Sequence, residues 1–375
     1  MASRTAALVL AAASLVAAFN PAHLFPIKLT SAWTTLPKAP SGSGATVVAL
    51  DYNALGVRKR MSGVQYTTVN ALGDAPANST AWPAYFPKGS YNPTGDPRGG
   101  LGFYFPGPES MGFWNDSSVT QVLFSYAVMF PANFTPNLGG KLPGPYGGAT
   151  EDQAYACSGG RQEDRGGCFD LRLMWRENLQ GEIYTYLPLV DGNTAALSQI
   201  QNTFVDETYG ISVARGAFTF AKGNYTVVAQ RVQLNTIGKS DGELELWVDG
   251  KSVLHATGLQ IRTQAESVFR GVHFQTFFGG SDSSWATPID QTIYFTGMSG
   301  GVVQNGASSS QGKAAYPLGG NAQTVTHPSL TVTATGTTRP LAASSKPSSQ
   351  PNAAFTSRKT PVATAAIVVI LGLLV

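Results

Sequence analysis

The sequence predicts an all-β domain, a β-sandwich of jelly-roll type, followed by a disordered Ser/Thr-rich stalk. Strand-like runs recur up to about residue 300, and no long segment combines a helical period with caps. The 375 residues include 42 Gly and 23 Pro, which indicates frequent turns. A helical bundle or coiled coil would be rich in Ala, Glu, Lys and Leu instead. A hydrophobic content of 43% is sufficient for a core.

The N-terminus has the pattern of a secretory signal peptide. Arg4 precedes an apolar stretch from Ala6 to Ala18, and small residues come before Phe19. A membrane anchor is the alternative, but the stretch is short for a span of about 20 apolar residues. We therefore expect residues 1–18 to be removed and the protein to be secreted. The folded domain is expected to occupy residues 19–300.

The C-terminus has the pattern of a GPI-attachment signal. Residues 362–375 are apolar and follow a short polar spacer, with a candidate attachment site at Asn352-Ala353-Ala354. A tail-anchored helix is the alternative, but so short a tail spans a bilayer poorly. We expect residues 353–375 to be removed and a lipid anchor to hold the protein at the cell surface. Residues 301–352, rich in Ser, Thr, Gly, Ala and Pro, predict an O-glycosylated stalk or a flexible linker.

The charge balance excludes some partners. Loss of Arg4, Arg358 and Lys359 with the two signals reduces 25 basic residues to 22, against 22 acidic residues. A neutral chain does not steer an acidic polymer over long distances, so any such polymer must be held locally. Since no basic cluster occurs, nucleic acid is not expected as a partner. We see no internal repeat and expect a monomer.

Two further features agree with secretion. The two cysteines, Cys157 and Cys168, are expected to pair with each other in an oxidising compartment. A zinc site is disfavoured because no histidine falls nearby. Sequons for N-glycosylation begin at four asparagines, namely Asn78, Asn115, Asn133 and Asn224.

Several runs predict the strands of the domain. Residues 121–130 are apolar at both odd and even positions, as in a strand that is buried on both faces. Residues 225–234 are rich in β-branched side chains. Residues 243–254 alternate around Asp249-Gly250, which is a hairpin signal. Further strands are expected at residues 268–278 and 291–295.

One hairpin gathers polar side chains on a single face. Alternation along Cys168–Arg176 directs four side chains into a core, namely Phe169, Leu171, Leu173 and Trp175. The opposite face would carry Asp170, Arg172, Met174 and Arg176, and the next strand would add Glu182, Tyr184 and Tyr186. A turn centred near Leu179 would set three cross-strand pairs, Arg176 with Glu182, Met174 with Tyr184 and Arg172 with Tyr186.

This pattern alone leaves the purpose of the patch open. Solvent-facing sheets commonly carry Tyr and Arg, and cross-strand pairs of this kind stabilise sheets modestly. A sugar-binding face would also expose tyrosines. Periodicity therefore does not separate an ordinary surface, a binding face and a catalytic site.

Several motifs resemble polysaccharide lyase family 14, in particular its secreted fungal members. They are Gly139–Gly144, Cys157–Gly160, Cys168–Arg176 and Tyr184–Tyr186, with a closing segment at residues 277–280, 285–288 and 290–291. The resemblance covers residues 124–298. It implies a jelly roll with a concave carbohydrate-binding face, and lyase activity on a uronic-acid polysaccharide.

The resemblance also assigns catalytic positions, which are Lys141, Arg172, Tyr184 and Tyr186. The family has a serine two residues before the arginine, where this chain has Asp170. A carboxylate at that position would repel an incoming uronate unless Lys141 or Arg172 compensates. It could also act as a base.

The residue types suit β-elimination, which removes the C5 proton of a uronate and expels its C4 oxygen. Arg172 could neutralise the carboxylate by holding it bidentately. Lys141 could also neutralise it, or act as the base if its pKa is lowered. Tyr184 or Tyr186 could take or give a proton, with ionisation eased by the nearby arginine.

The remaining candidates are substrate contacts. Arg176 shares the patch, and His273 shares a parity with Gln275 on the strand at residues 268–278. The four histidines show no metal spacing, so no metal or cofactor is expected. A structural calcium is left open, without nameable ligands. Two alternatives to a lyase remain, a non-catalytic carbohydrate-binding wall protein and a structural wall protein.

Overall fold

The computed structural model describes residues 19–303, except residues 62, 63, 65, 112, 113, 115, 162, 163 and 207. The predicted signal peptide, the stalk beyond residue 303, the anchor signal and the sequon at Asn115 lie outside the described residues.

The described chain is nearly all β, as predicted. Its seventeen strands are β1 (Leu29–Thr34), β2 (Thr46–Val47), β3 (Val69–Asn70), β4 (Thr80–Phe86), β5 (Leu101–Phe105), β6 (Gln121–Met129), β7 (Gly139–Lys141), β8 (Gly144–Gly148), β9 (Cys168–Arg176), β10 (Gln180–Tyr186), β11 (Phe204–Val205), β12 (Ile211–Thr219), β13 (Tyr225–Gln233), β14 (Gly242–Val248), β15 (Lys251–Leu259), β16 (Val268–Phe278) and β17 (Gln291–Val303). Its helices are short. They are α1 (Glu151–Ala156), α2 (Asp191–Ser198) and five 3₁₀ turns at Pro21–Leu24, Glu109–Met111, Arg165–Gly167, Glu177–Leu179 and Ser283–Trp285.

These strands form two facing sheets. The outer sheet has the order β15-β14-β13-β6-β17-β1-β2, with β4 beside β17 and β3 beside β4. The second, here called the cleft sheet, has the order β11-β12-β10-β9-β7-β16-β5, with β8 between β9 and β16. Pairing is antiparallel except between β1 and β2. Neighbouring strands are often distant in sequence, as in a jelly roll.

Aromatic side chains fill the space between the sheets. Phe103 of the cleft sheet stacks on Phe274 with ring centres 4.7 Å apart, and Trp82 of the outer sheet packs edge-on against Phe274 at 5.3 Å. The inward-facing residues predicted on β9 all lie in this core, namely Phe169, Leu171, Leu173 and Trp175. Their burial leaves the alternate side chains of β9 to face outward from the sandwich.

Strand β6 is buried on both faces, as its sequence predicts. Phe124 faces the core between the sheets. On the other face, Phe19 and Leu24 cluster with Ala127, and Ile27 clusters with Leu123. The N-terminal segment therefore covers the outer sheet.

The other predicted strands are present, and two of them, β15 and β17, are longer than predicted. The β14–β15 turn places Asp249 and Gly250 at φ of 47° and 78°, as a two-residue hairpin loop requires. The final strand continues to Val303, past the end expected at residue 295 and the domain boundary placed at residue 300.

The predicted register of β9 with β10 is wrong by two residues. Asn178 and Leu179 both take positive φ, 57° and 59°, and this tight turn lets β10 begin at Gln180. The observed pairs are Met174 with Glu182, Arg172 with Tyr184 and Asp170 with Tyr186. Since side chains alternate with a period of two, the shift leaves every polar residue on its predicted face.

Candidate active site

A cleft of about 860 Å³ opens on the outward face of the cleft sheet. Seven of the predicted site residues line it, namely Lys141, Arg172, Arg176, Tyr184, Tyr186, His273 and Gln275. The eighth, Asp170, lies beneath the floor and is 1% exposed. The fold therefore brings all eight predicted residues together on β7, β9, β10 and β16.

The Gly139-Gly140 pair explains how Lys141 reaches the cleft floor. A Cβ atom on Gly140 would overlap the ring of Trp175, so only glycine lets β7 pass this closely over the core. Lys141 then lies opposite Met174 on β9. Its Nζ atom is 2.8 Å from Met174 Sδ and 3.5 Å from the centre of the Tyr184 ring.

The surroundings of Lys141 favour its neutral form. The residue is 8% exposed, and burial lowers the pKa of its amine well below the usual value. The positive charges of Arg172 and Arg176 lower this pKa further, against the opposing effect of Glu182. An uncharged amine carries a lone pair, so Lys141 can accept a proton.

Arg172 lies at the centre of the floor and is 2% exposed. Its Nη1 donates a hydrogen bond of 2.8 Å to Oε1 of Gln275, and its Nε is 3.4 Å from Oδ1 of Asp170. Within the described part of the chain, no hydrogen bond engages its Nη2 group. A guanidinium held on one side with free donors on the other is suited to bind a carboxylate.

Asp170 is not a free carboxylate. Its Oδ2 lies 2.7 Å from Nδ1 of His273. Burial alone would raise the pKa of Asp170, but Arg172 and His273 outweigh it, so the net pKa is lowered and the group is ionised. Burial and the charge of Arg172 lower the pKa of His273 to about 4. The histidine is therefore neutral at ordinary pH, with Nδ1–H donating to Asp170.

The two tyrosines remain protonated. Burial raises the pKa of the Tyr184 phenol, and it also raises the pKa of Tyr186 although Arg172 acts in the opposite direction. This net direction is opposite to the eased ionisation expected from the nearby arginine, because burial is the larger effect. Both phenols are therefore suited to give a proton and not to take one.

Glu182 fixes two arginines at the cleft wall. Its carboxylate is 1% exposed and accepts hydrogen bonds from Arg176 Nε at 2.9 Å, Arg215 Nε at 2.7 Å and Ser212 Oγ at 2.7 Å. The Arg176–Glu182 contact is thus present even though the two residues are not directly opposite in register. Salt bridges of this kind hold the guanidinium groups in place for a ligand.

Basic side chains outnumber acidic ones in the cleft lining although the predicted mature chain is neutral. The basic residues are Lys59, Arg98, Lys141, Arg161, Arg172, Arg176 and Arg215, against two acidic residues, Asp152 and Asp206. A concave surface with this imbalance attracts anions locally.

Sequence reasoning missed several lining residues, of which Arg215 and Arg161 are examples. Arg215 follows Ala214, whose φ of 56° interrupts the alternation of β12. The face of the sheet to which Arg215 points could therefore not be predicted from its position in the sequence. Arg161 lies between the two cysteines. The available signal was a basic residue in a Gly-rich loop that the predicted disulfide connects to β9.

The predicted disulfide is present between Cys157 and Cys168. It joins the end of α1 to the start of β9, and the enclosed loop supplies Ser158, Gly159 and Arg161 to the cleft wall. The bond therefore connects a wall of the cleft to the strand that carries Arg172.

Replacing both cysteines with alanine is expected to lower the free energy of unfolding by about 2–3 kcal/mol, because a short closed loop loses its restraint in the unfolded chain. Urea unfolding followed by tryptophan fluorescence measures this change. We also expect a higher KM, since the loop that carries Arg161 is no longer held. An unchanged unfolding midpoint would contradict the predicted contribution of the disulfide to stability.

The three sequon asparagines that the structure describes lie away from the cleft. Asn78 and Asn133 are exposed and Asn224 is partly buried, and none of them lines the cleft. In the described ranges, no group of three or more His, Cys, Asp or Glu side chains could hold a metal ion. Nor does any helix there have the length and apolar character needed to cross a membrane.

Comparison with known proteins gives a consistent assignment. The family model described as Polysaccharide lyase 14 matches residues 75–298. The crystal structure of the marine PL-14 alginate lyase from Aplysia kurodai is 32% identical, with a TM-score of 0.57, and the match covers 66% of this chain and 91% of that one.

A second solved structure, alginate lyase vAL-1 from Chlorella virus, is 20% identical with a TM-score of 0.53. This match covers 67% of the present chain and 93% of the viral one, and at this identity it shows a shared fold. A search of the curated proteins finds no match.

Proposed function

The chain belongs to the polysaccharide lyase 14 family, and from this premise we propose that it cleaves a uronic-acid polysaccharide by β-elimination. The observation that carries the proposal is the placement of Lys141, Tyr184 and Arg172 together in the cleft, with Lys141 Nζ 3.5 Å from the centre of the Tyr184 ring. The Aplysia kurodai relative is an alginate lyase, which supports a uronate polymer as substrate.

The reaction begins with the carboxylate of the substrate. Arg172 binds it through the donors that Gln275 leaves free, and this neutralisation makes the C5 proton more acidic. Asp170 does not repel the substrate strongly, because His273 and Arg172 already engage its two oxygens. The substitution of aspartate for the family's serine is thereby compatible with binding.

The lowered pKa of Lys141 and the raised pKa of Tyr184 assign the two proton transfers. The neutral amine of Lys141 takes the C5 proton, and the electron pair of that bond forms the C4–C5 double bond. The C4–O4 bond breaks, and the Tyr184 phenol gives its proton to the departing oxygen. Environments that push the pKa values of two groups apart in this way assign the base and the acid.

The position of Lys141 favours a particular stereochemistry. Its Nζ lies 3.5 Å from the centre of the Tyr184 ring, so base and acid approach the sugar from the same side. In mannuronate and glucuronate, the C5 proton and the C4 oxygen lie on the same face of the ring. We therefore propose a polymer of such D-uronates as the principal substrate.

Ultraviolet absorbance of the unsaturated uronate tests the proposal. Full-length protein is incubated with polymannuronate, glucuronan, polyguluronate and a neutral glucan, and we expect product from at least one D-uronate polymer. Tyr184→Phe is expected to lower kcat by about 100-fold or more, because O4 then leaves without a proton. Tyr85→Phe, an exposed tyrosine on the outer sheet, serves as the matched control.

Two other results would lead to different conclusions. A folded protein that is retained on a uronan column but releases no unsaturated product would be a carbohydrate-binding wall protein. A protein that is neither retained nor active would be a structural wall protein. Full activity of Tyr184→Phe would instead move the acid role to Tyr186.

We further propose that the protein is secreted and held at the cell surface by a GPI anchor. The leader and tail patterns, the sequons and the Cys157–Cys168 disulfide support this. Disulfides persist in oxidising compartments, and an anchored lyase would meet its acidic polysaccharide at the wall.

A further inference from the structure

A carboxylate holds the backbone nitrogen of Phe19 against the outer sheet. This nitrogen donates a hydrogen bond of 2.7 Å to Oδ2 of Asp74. The Phe19 side chain is 8% exposed, and its ring packs on Tyr225 with centres 5.9 Å apart. Phe19 is also the first residue expected after leader removal, since the leader pattern ends at Ala18. The nitrogen that contacts Asp74 is therefore the one expected to become the α-amino group of the mature chain.

Asp74 also contacts the sheet beneath this nitrogen. Its Oδ1 accepts a hydrogen bond of 2.9 Å from the backbone N–H of Tyr225, the first residue of β13. Tyr225 pairs with Met129 at the end of β6, and Phe19 clusters with Ala127 and Met129 of that strand. One carboxylate thus connects the segment that covers the outer sheet to the strands that it covers.

The surroundings of Asp74 favour a positive charge at this position. Asp74 is partly buried, and within the described residues no basic side chain forms a salt bridge with it. Burial raises the pKa of a second carboxyl group, Asp249, and the negative charge of Asp74 raises it further. Two acidic groups therefore interact here, and a cation bound by Asp74 would reduce their repulsion.

We propose that Asp74 is the binding site for the α-ammonium group that leader removal creates at Phe19. A leader peptidase and one water molecule hydrolyse the Ala18–Phe19 peptide bond, which leaves a carboxyl group on Ala18 and an amine on Phe19. The amine takes a proton below its usual pKa of about 7.7–8.0. A charge-assisted hydrogen bond, roughly twice as strong as a neutral one, then replaces the amide hydrogen bond of the precursor. The N-terminal segment is thus held fully on the outer sheet only in the processed protein.

This inference rests on the secretion proposed above and is independent of the lyase function. It predicts a defined pH dependence of stability. A carboxylate raises the pKa of an ammonium group that it binds, so the folded α-amine keeps its proton to a higher pH than the unfolded one. The contribution of the salt bridge is therefore present below about pH 7 and is lost as the pH rises through the raised pKa.

Other titratable groups near Asp74 and Asp249 do not produce this pattern. Burial lowers the pKa of His23, which interacts with Asp249, so this histidine is neutral from pH 7 upward. Burial raises the pKa of Tyr225, so its phenol stays protonated. Tyr294, which interacts with Tyr225, and Lys251, which interacts with Asp249, are common to every variant compared below.

Thermal unfolding of full-length protein secreted from a eukaryotic host tests the salt bridge, with the first residue identified by mass spectrometry. In the chain that begins at Phe19, Asp74→Asn is expected to lower the Tm by at least about 2 °C more at about pH 7 than at about pH 10. A second chain carries Gly-Ser inserted between Ala18 and Phe19, which keeps the amide N–H at Phe19 but moves the ammonium group away. In that chain Asp74→Asn should lower the Tm equally at both pH values.

Asp51→Asn is the matched control, because Asp51 also accepts hydrogen bonds from two backbone N–H groups, those of Asn53 and Ala54. Its effect on the Tm should depend neither on pH nor on the insertion. An Asp74→Asn effect that is the same at both pH values in the uninserted chain, or that keeps its pH dependence in the inserted one, would overturn the proposal. A secreted chain that keeps its leader or begins at another residue would overturn it too. None of these results affects the lyase function, which release of unsaturated uronate measures separately.

Discussion

Arg172→Ala is expected to lower kcat/KM on a D-uronate polymer by about 1,000-fold or more. The substrate carboxylate loses the only guanidinium centred on the floor in the described structure, so the C5 proton is no longer made acidic. Among the described residues, the substitution also leaves Asp170 with His273 as its one remaining ion-pair partner. Its negative charge then faces the incoming uronate, and a buried charge without its partner is costly. Absorbance of the unsaturated product gives kcat and KM separately.

Three further variants make this result specific. Arg172→Lys keeps the charge but loses the bidentate geometry, and we expect an intermediate loss of about 100-fold. Asp170→Asn combined with Arg172→Ala should recover at least about tenfold over Arg172→Ala alone, because the repulsive carboxylate is gone. Arg270→Ala, on the same sheet but outside the cleft lining, should retain activity. Arg172→Ala activity within tenfold of wild type would contradict the assigned role.

Much of the fold could be predicted because local pattern and burial agree. Strand β9 alternates strictly, and its inward residues are in the core. Strand β6 is apolar at both odd and even positions, and both of its faces are buried. The register of β10 could not be obtained in the same way, since it depends on Asn178 and Leu179 taking positive φ. Non-glycine residues adopt that conformation too rarely for a sequence to signal it.

Arg172 and Tyr184 were predictable because the resemblance and the alternation of their strands agreed, whereas Lys141 was predictable from the resemblance alone. The state of each group was not predictable, because pKa values depend on burial and on partners that come from distant segments. Asp170 looked like an obstacle to an acidic substrate until its contact with His273, on a strand about 100 residues later, was known. Arg215 was missed because a backbone irregularity at Ala214 disrupts the alternation of its strand.

Lys141→Met is expected to lower kcat on polymannuronate or glucuronan by about 1,000-fold, within the range that a general base contributes. Methionine is similar in volume and apolar, so the buried position should accept it without loss of stability. The variant therefore separates chemistry from folding, and thermal unfolding together with retention on a uronan column should remain close to wild type. Lys251→Met, at an exposed position on β15, is the matched control.

The pH dependence gives this prediction a second, independent measurement. Because burial lowers the pKa of Lys141 well below its usual value, the neutral amine is available in wild-type protein at a pH where an exposed lysine is fully charged. Wild-type kcat/KM should therefore rise with pH as Lys141 loses its proton, and the residual activity of Lys141→Met should lack that rise. Lys141→Arg keeps a permanent charge and should be as inactive as Lys141→Met. A wild-type pH profile retained in Lys141→Met would assign the base to another group, with His273 the first to examine.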